Sequence, residues 1–505
     1  MSVQSYNPTT GEYQSTGLAE TSAAGVASIC VMAERAANVL AGYPLAWRAA
    51  FLEEIAAALE ADAEAIVATA DLETGLGEAR LTGELKRTCF QFRFFAGVVR
   101  DGGFLEASID HPYDSPMGPL PDLRRQLEPL GVVGVFGASN FPLAFSVPGG
   151  DTASALAAGC SVVIKAHPAH PRTSFATFSA LERAAQQLDA PEGTVNLLFG
   201  LEAGVALVDD PNVAAVGFTG SYAAGRALFD RAQARAVPIP FYGELGSVNP
   251  LVVSPGAAAE RSGALGEGLV GSVTLGSGQF CTKPGLLFVP TGVDGDALVA
   301  SAQLALAKGA GATMLSGPIR DRFEAGVSSL RAVEGLELVG QSQRSTSDAG
   351  SFAALFTTDV ATLLARRESL MTEYFGALAV IVRYESLEEL LGAIDSIEPA
   401  LTFTVHVAPG DEMAPALLSA GAKKAGRVIV NGFPTGVGVS WSMHHGGPLP
   451  AATSSLHTSV GASAIRRWLR PVSYQGVPTA WLPEALRDEN PWGIPRRVDG
   501  VLRVV

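Results

Sequence analysis

Apolar residues recur at three- and four-residue spacing through residues 18–101, as in WRAAFLEEIAAALEADAEAIVATADLE, and that period predicts helices. From Gly102 to Leu130 the period fades and five prolines appear, except in DLRRQLEPLGVV, which predicts an extended ribbon. Beyond Gly131 the pattern changes again. GVVGVFG, SVVIKA, TVNLLFG and AAVGFTG are continuous apolar runs, each followed by a turn and a helical segment. Such runs predict a parallel sheet covered on both faces. A second α/β region is predicted to begin near Asn249, with strands PLVVS, LLFVP, LAVIVRYE, LTFTVHV and RVIVNG and the helix DALVASAQLALAKGA. The stretch IRRWLRPVSYQGV, past His457, reads as a C-terminal strand and coil that packs on a neighbour.

With 505 residues, more than one core is expected. Hydrophobic residues make up 48% and charged ones 17%, which excludes a disordered chain. The net charge of −15, with no long basic cluster, excludes nucleic acid as an expected partner. The longest uncharged stretch, Pro129 to Gly150, is interrupted by Asn140, Pro142 and Pro148, so no membrane span is predicted there. MSVQSYNPTTGEYQ carries no basic and apolar export pattern, and the expected compartment is the cytoplasm.

The four cysteines, Cys30, Cys89, Cys160 and Cys281, lie far apart without metal-ligand spacing, so neither disulfides nor a metal centre are expected. Three sit in helical or apolar contexts and read as packing residues. Cys281 lies in the loop GSGQFCTKPG, where a thiol is either packing or a nucleophile with a pKa lowered by local N–H groups. Glu244 in PFYGELGSVNP is a lone carboxylate among apolar neighbours; it is either a cap or a general base whose pKa burial should raise. Asn140 in FGASNFPLAF could donate to an oxyanion or cap a turn. Lys165 ends the strand SVVIKAHP, where open α/β sheets keep ligand contacts. Gly220 and Ser221 follow AAVGFT with no G-x-G-x-x-G; a pyrophosphate fits there, although any βα turn also uses Gly and Ser. Adjacent His444 and His445 point opposite ways in an extended chain, so a shared ion is not expected.

FGASNFPLAF, VVIKAHPAHP, GFTGS, ELGSVNP, GSGQFC and EYFG occur in an order and spacing that resemble the aldehyde dehydrogenase superfamily, from about Tyr6 to the end. ELGSVNP, GQFCTKPG and HHGGPLPA are most similar to its NADP-type branch of α-ketoglutaric semialdehyde (2,5-dioxovalerate) and fatty-aldehyde dehydrogenases. The resemblance implies an α/β fold with a Rossmann-like cofactor domain (1–104 and 131–249) and an α/β catalytic domain (250–440). The remainder, 105–130 and 441–505, would form a β oligomerisation ribbon and C-terminal segment, giving a homodimer or homotetramer.

By the same resemblance Cys281 is the nucleophile, Asn140 the oxyanion donor and Glu244 the base that activates water. Lys165, His167, Pro168, Phe218, Gly220, Ser221, Leu245, Glu373 and Phe375 contact the cofactor. Phe141, Phe145, Phe280 and Phe433 line a substrate tunnel. Pro168 stands where NAD-preferring members often carry a Glu, which implies NADP as cofactor with NAD also usable. The implied reaction oxidises a small-molecule aldehyde to an acid without a metal. The substrate would be α-ketoglutaric semialdehyde, or alternatively a medium- or long-chain aliphatic aldehyde. A catalytically silent member kept for binding is the remaining alternative, and retention of Cys281, Glu244, Asn140 and Lys165 together argues against it.

Overall fold

A computed structural model describes residues 2–504. After the hairpin of Ser2–Tyr6 and Tyr13–Ala19, helices fill most of residues 23–101, as their spacing predicts. Leu45–Ala61 and Glu78–Asp101 pack on each other and on the helices flanking the first sheet. Ala23–Leu40 is the one helix among the described residues with the length and apolarity of a membrane span. Its Val26, Cys30 and Ala33 are buried in a cluster with Val132, Phe136 and Val163 of that sheet.

The four apolar runs after Gly131 form parallel strands Val132–Phe136, Ser161–Lys165, Val195–Leu198 and Val213–Thr219. A fifth strand, Phe241–Glu244, joins the edge beside Val213–Thr219 and carries Glu244 at its end. The sequence pattern did not single out this strand, because its four residues are bounded by Pro240 and Gly246 and show no alternation.

The second sheet has seven strands. Leu251–Val253, Leu286–Pro290, Leu378–Tyr384, Ala400–His406 and Ala425–Val430 correspond to the five expected runs. Ala354–Asp359 adds a parallel strand, and Glu337–Gln341 pairs antiparallel at the edge. The expected ribbon is extended: Leu123–Pro129 pairs antiparallel with Leu469–Gln475, while Ile465–Trp468 lie in a 3₁₀ turn just before that strand. Trp468 anchors the turn in the first core, its Nε1 donating to Ser154 Oγ at 2.8 Å. The C-terminal end of the first sheet, where open α/β sheets place their ligands, carries Lys165 and Glu244, whereas Cys281 precedes Leu286–Pro290 at the N-terminal end of the second sheet.

Candidate active site

Cys281 is held by a loop of left-handed residues, Gly276 (φ 56°), Ser277 (φ 60°) and Gly278 (φ 68°). A Cβ on Gly278 would stand 2.3 Å from the Ala377 nitrogen, so this position requires glycine. Side chains stiffen the loop: Ser277 Oγ donates to Thr313 O (2.9 Å) and Gln279 Oε1 accepts from Leu315 N (3.1 Å). Asn249, left-handed and buried, donates through Nδ2 to Cys281 O at 2.7 Å and to Lys283 O at 3.1 Å. The Asn of ELGSVNP therefore fixes the Cys281 loop, a role the sequence left unread.

Around the thiol three side chains converge from distant positions. Cys281 Sγ lies 3.5 Å from His445 Nε2, which lies 2.9 Å from Glu244 Oε1. Ser459 Oγ donates to Glu244 Oε2 at 2.5 Å. Glu244 and His445 are buried. The sulfur, imidazole and carboxylate donor atoms all lie within 4.8 Å of one another. His444 turns away and lies against Gly426, so the adjacent pair does diverge; His445 is the one that reaches the site.

Both expected pKa directions are reversed here. Burial alone would raise Glu244, but the His445 ring and hydrogen bonds from His445, Ser459 and Cys281 more than offset it and hold the carboxylate near 2. Burial and the neighbouring Glu244 charge push the Cys281 thiol well up, with Glu373 adding to the rise and Arg427 opposing it. The resting pair is thus a thiol beside a carboxylate. An ionised carboxylate only accepts, so His445 Nε2 carries the proton in its contact with Glu244.

Asn140 is buried, with one Nδ2–H donating to Gln279 O at 2.9 Å, two residues before Cys281. Its second amide hydrogen has no protein acceptor, and neither has the Cys281 amide, among the described residues. Phe141 contacts Phe145 and Phe280 at ring-centroid distances of 5.3 and 5.0 Å, edge to face. Phe433 does not join them; its ring packs on His406 at 5.0 Å and against Gly268. The wall also carries charge that the sequence reading omitted. The Arg80 guanidinium lies over Phe141 and Phe280 and that of Arg87 over Phe145.

Lys165 ends its strand as a buried ammonium with no hydrogen bond among the described residues, and burial lowers it to about 8. Gly220 and Ser221 are exposed; Ser221 caps the helix Tyr222–Gln233, its Oγ accepting from Ala224 N at 3.4 Å. Phe218 is buried beneath this turn against Phe136 and Phe241, and the buried Leu245 side chain packs under Gly225. His167 Nδ1 accepts from Ala169 N (3.1 Å), and burial keeps the ring neutral, leaving Nε2–H to donate; Pro168 is exposed. Glu373 rests on the Gly246 backbone and is pushed up to about 7 by burial, opposed by Lys283 and the Ser247 N–H. Phe375 is half-buried two residues on. A buried lysine with no counter-charge among the described residues and an exposed helix N-terminus, on strands flanking Val132–Phe136 in one sheet, fit the phosphates of a dinucleotide.

The aldehyde dehydrogenase family profile matches residues 1–471. The chain is 47% identical over 482 residues to alpha-ketoglutaric semialdehyde dehydrogenase 2 of Azospirillum brasilense, covering 94% of this chain and 91% of that one. It is 42% identical to alpha-ketoglutaric semialdehyde dehydrogenase of Acinetobacter baylyi over 90% and 87% of the two chains. In fold it is similar to aldehyde dehydrogenase 21 of Physcomitrella patens, solved with the product succinate (TM-score 0.79, 20% identity, 95% and 96% covered). It is likewise similar to proline utilization A of Bradyrhizobium japonicum (TM-score 0.78, 23% identity), where it spans 90% of itself and 45% of that longer chain. This chain belongs to the aldehyde dehydrogenase family of NAD(P)-dependent oxidoreductases.

Proposed function

We propose that the protein oxidises α-ketoglutaric semialdehyde to 2-oxoglutarate through a thioester on Cys281, with NADP preferred over NAD. The observation that carries the chemistry is the convergence of Cys281, half-buried, with the buried His445 and Glu244. The substrate follows the printed activity of the two bacterial relatives above.

In the resting site the Glu244 carboxylate lies within 4.8 Å of the Cys281 sulfur, near enough to take its proton. Passing that proton to Glu244 moves the negative charge to sulfur, where His445 Nε2–H, 3.5 Å away, can turn to stabilise it. The thiolate attacks the aldehyde carbon, and the new oxyanion takes the free Asn140 and Cys281 N–H groups. A nicotinamide cofactor, when bound, supplies the hydride acceptor that turns the adduct into a thioester. Lys165, Ser221 and Glu373 would hold it. Glu244 then loses its proton to solvent and takes one from the water that cleaves the thioester. The buried Phe280 and the half-buried Phe141 and Phe145 packed beside it limit the entry of other water.

NADP preference rests on Pro168, which sets no carboxylate against a 2′-phosphate beside Lys165 and His167. The ribbon of Leu123–Pro129 and Leu469–Gln475, with Val501 and Leu502 exposed at its far end, supports a homodimer or homotetramer. The proposed compartment is the cytoplasm. Steady-state assays with both cofactors and a panel of α-ketoglutaric semialdehyde, glutaraldehyde and C6–C14 aldehydes test the substrate. A kcat/KM that climbs with chain length and leaves the oxo acid behind would establish the fatty-aldehyde alternative instead, which the phenylalanine wall favours.

A further inference from the structure

Guanidinium groups beside an aromatic wall change what that channel accepts. Arg80, Glu84 and Arg87 share one face of the helix Glu78–Asp101. Glu84 Oε1 is occupied by the N–H groups of Leu143 and Ala144, and burial raises its pKa, so it is a poor counter-charge for two arginines. Arg80 Nη2 is committed to Asn140 O at 2.8 Å.

Arg87, on the helix Glu78–Asp101, and Arg427, on the strand Ala425–Val430, hold one loop. Arg87 Nη2 donates to Val437 O (3.3 Å), and Arg427 Nη2 donates to Pro434 O (2.7 Å) and Gly436 O (2.9 Å). Gly436 N donates in turn to Thr282 Oγ1, one residue past the nucleophile. Each guanidinium keeps a buried nitrogen without a partner, Nη1 of Arg87 and Nε of Arg427. Both carry enough charge into the site to be felt by Cys281 and Glu244. Unpartnered guanidinium N–H groups beside a methylene chain would be costly, whereas a carboxylate satisfies them in their own plane.

We infer that Arg87 and Arg427 hold the distal carboxylate of a short oxo acid whose aldehyde carbon lies at Cys281. The inference rests on the proposed substrate class and adds the residues that select it. In a five-carbon oxo acid, C–C bonds of about 1.5 Å place the carboxylate about 5 Å from the aldehyde carbon. That span matches a loop hydrogen-bonded to Thr282.

The test is the ratio of kcat/KM for 2,5-dioxopentanoate to that for pentanal in wild type, R87M, R427M and the corresponding Lys variants. Wild type should favour the oxo acid. Each Met variant should lower the ratio on the order of 30-fold, mainly through KM, as expected for one charge-assisted pair, and R87K should recover part of it. A wild type that favours pentanal overturns the substrate reading itself. A wild type that favours the oxo acid, with ratios unchanged in both Met variants, overturns only the clamp. Should the variants misfold, wild type still decides. 2-Oxoglutarate must protect Cys281 from iodoacetamide at lower concentration than pentanoate, and equal protection overturns the clamp.

Discussion

The Gly220–Ser221 turn and the Cys281 pocket both use the C-terminal end of the first sheet, the pocket being completed by the loop that enters Leu286–Pro290, yet they are built in opposite ways. Lys165 is the last residue of its strand, and Gly220 and Ser221 directly follow another; they offer backbone N–H groups at an exposed turn and one buried ammonium. The pocket draws Cys281, Glu244 and His445 together across separations of 164 and 201 residues, and buries the carboxylate and the imidazole. Phosphate recognition by backbone is a local property of a turn, so it tolerates variation around it. Proton transfer needs side chains matched in charge at close range, and in a buried site a missing partner leaves an uncompensated charge. Substitutions in the pocket should therefore be far more damaging than those at the turn.

Loss of the sulfur is the largest of these effects. Cys281→Ala should bring aldehyde oxidation and any esterase activity to background, because both need the thiolate. In the wild type, iodoacetamide should modify Cys281 first, since Cys30, Cys89 and Cys160 are buried. Its rate should climb toward alkaline pH, because the thiol is raised well above its ordinary value. Peptide mapping that placed the inactivating label on another cysteine would refute the assignment.

Next comes the carboxylate. Glu244→Gln removes both the acceptor of the thiol proton and the base for water, so turnover should fall on the order of 10²- to 10⁴-fold. Acylation should outlast hydrolysis, and rapid mixing at alkaline pH should show one NAD(P)H per site followed by little turnover. Normal turnover would make Glu244 structural.

His445→Asn isolates the third member and should cost less, on the order of 10²-fold in kcat/KM. Glu244 is held near 2 chiefly by this ring; without it, burial dominates and the carboxylate pKa rises. A depressed carboxylate stabilises the fold above its unfolded value of about 4.3 and loses that contribution as pH falls toward 2. In the variant, the acid limbs of both stability and activity should move to higher pH. A kcat/KM–pH profile with an unmoved acid limb would show that His445 acts by packing alone.

The same contrast explains what could be read in the chain. Strands ending at Phe136, Lys165 and Thr219, and the expected strands of the second sheet, were visible because continuous apolar runs mark buried parallel strands. Cys281 stood out by its glycine-flanked loop. His445 did not, because adjacency to His444 argued only about a shared ion, and its partnership with Glu244 exists only once the two sheets meet. The pKa directions were missed for the same reason: burial was foreseeable, the neighbours were not. Arg80, Glu84 and Arg87 did leave a signal, a polar stripe at helical spacing among buried residues. Phe433 sits four residues after Ile429 in a loop whose course no local pattern sets, and its ring went to His406.

At the cofactor turn the smallest effect is expected, and it sharpens the comparison most. Pro168 is exposed and follows Lys165 by three residues, so a glutamate there adds charge without disturbing the core. In Pro168→Glu the new carboxylate repels a 2′-phosphate and can accept from ribose hydroxyls, which should shift the kcat/KM preference toward NAD by about tenfold, or about 1.4 kcal/mol. Because Lys165 is lowered to about 8, its ammonium loses charge as pH rises through that value. NADP affinity should therefore weaken from about pH 8 upward more than NAD affinity does. Cofactor titrations by fluorescence at pH 7 and 9 measure both shifts. A wild type that strongly favours NAD, with no change in Pro168→Glu, would mean that the adenosine end is set by residues other than the strand end that carries Lys165.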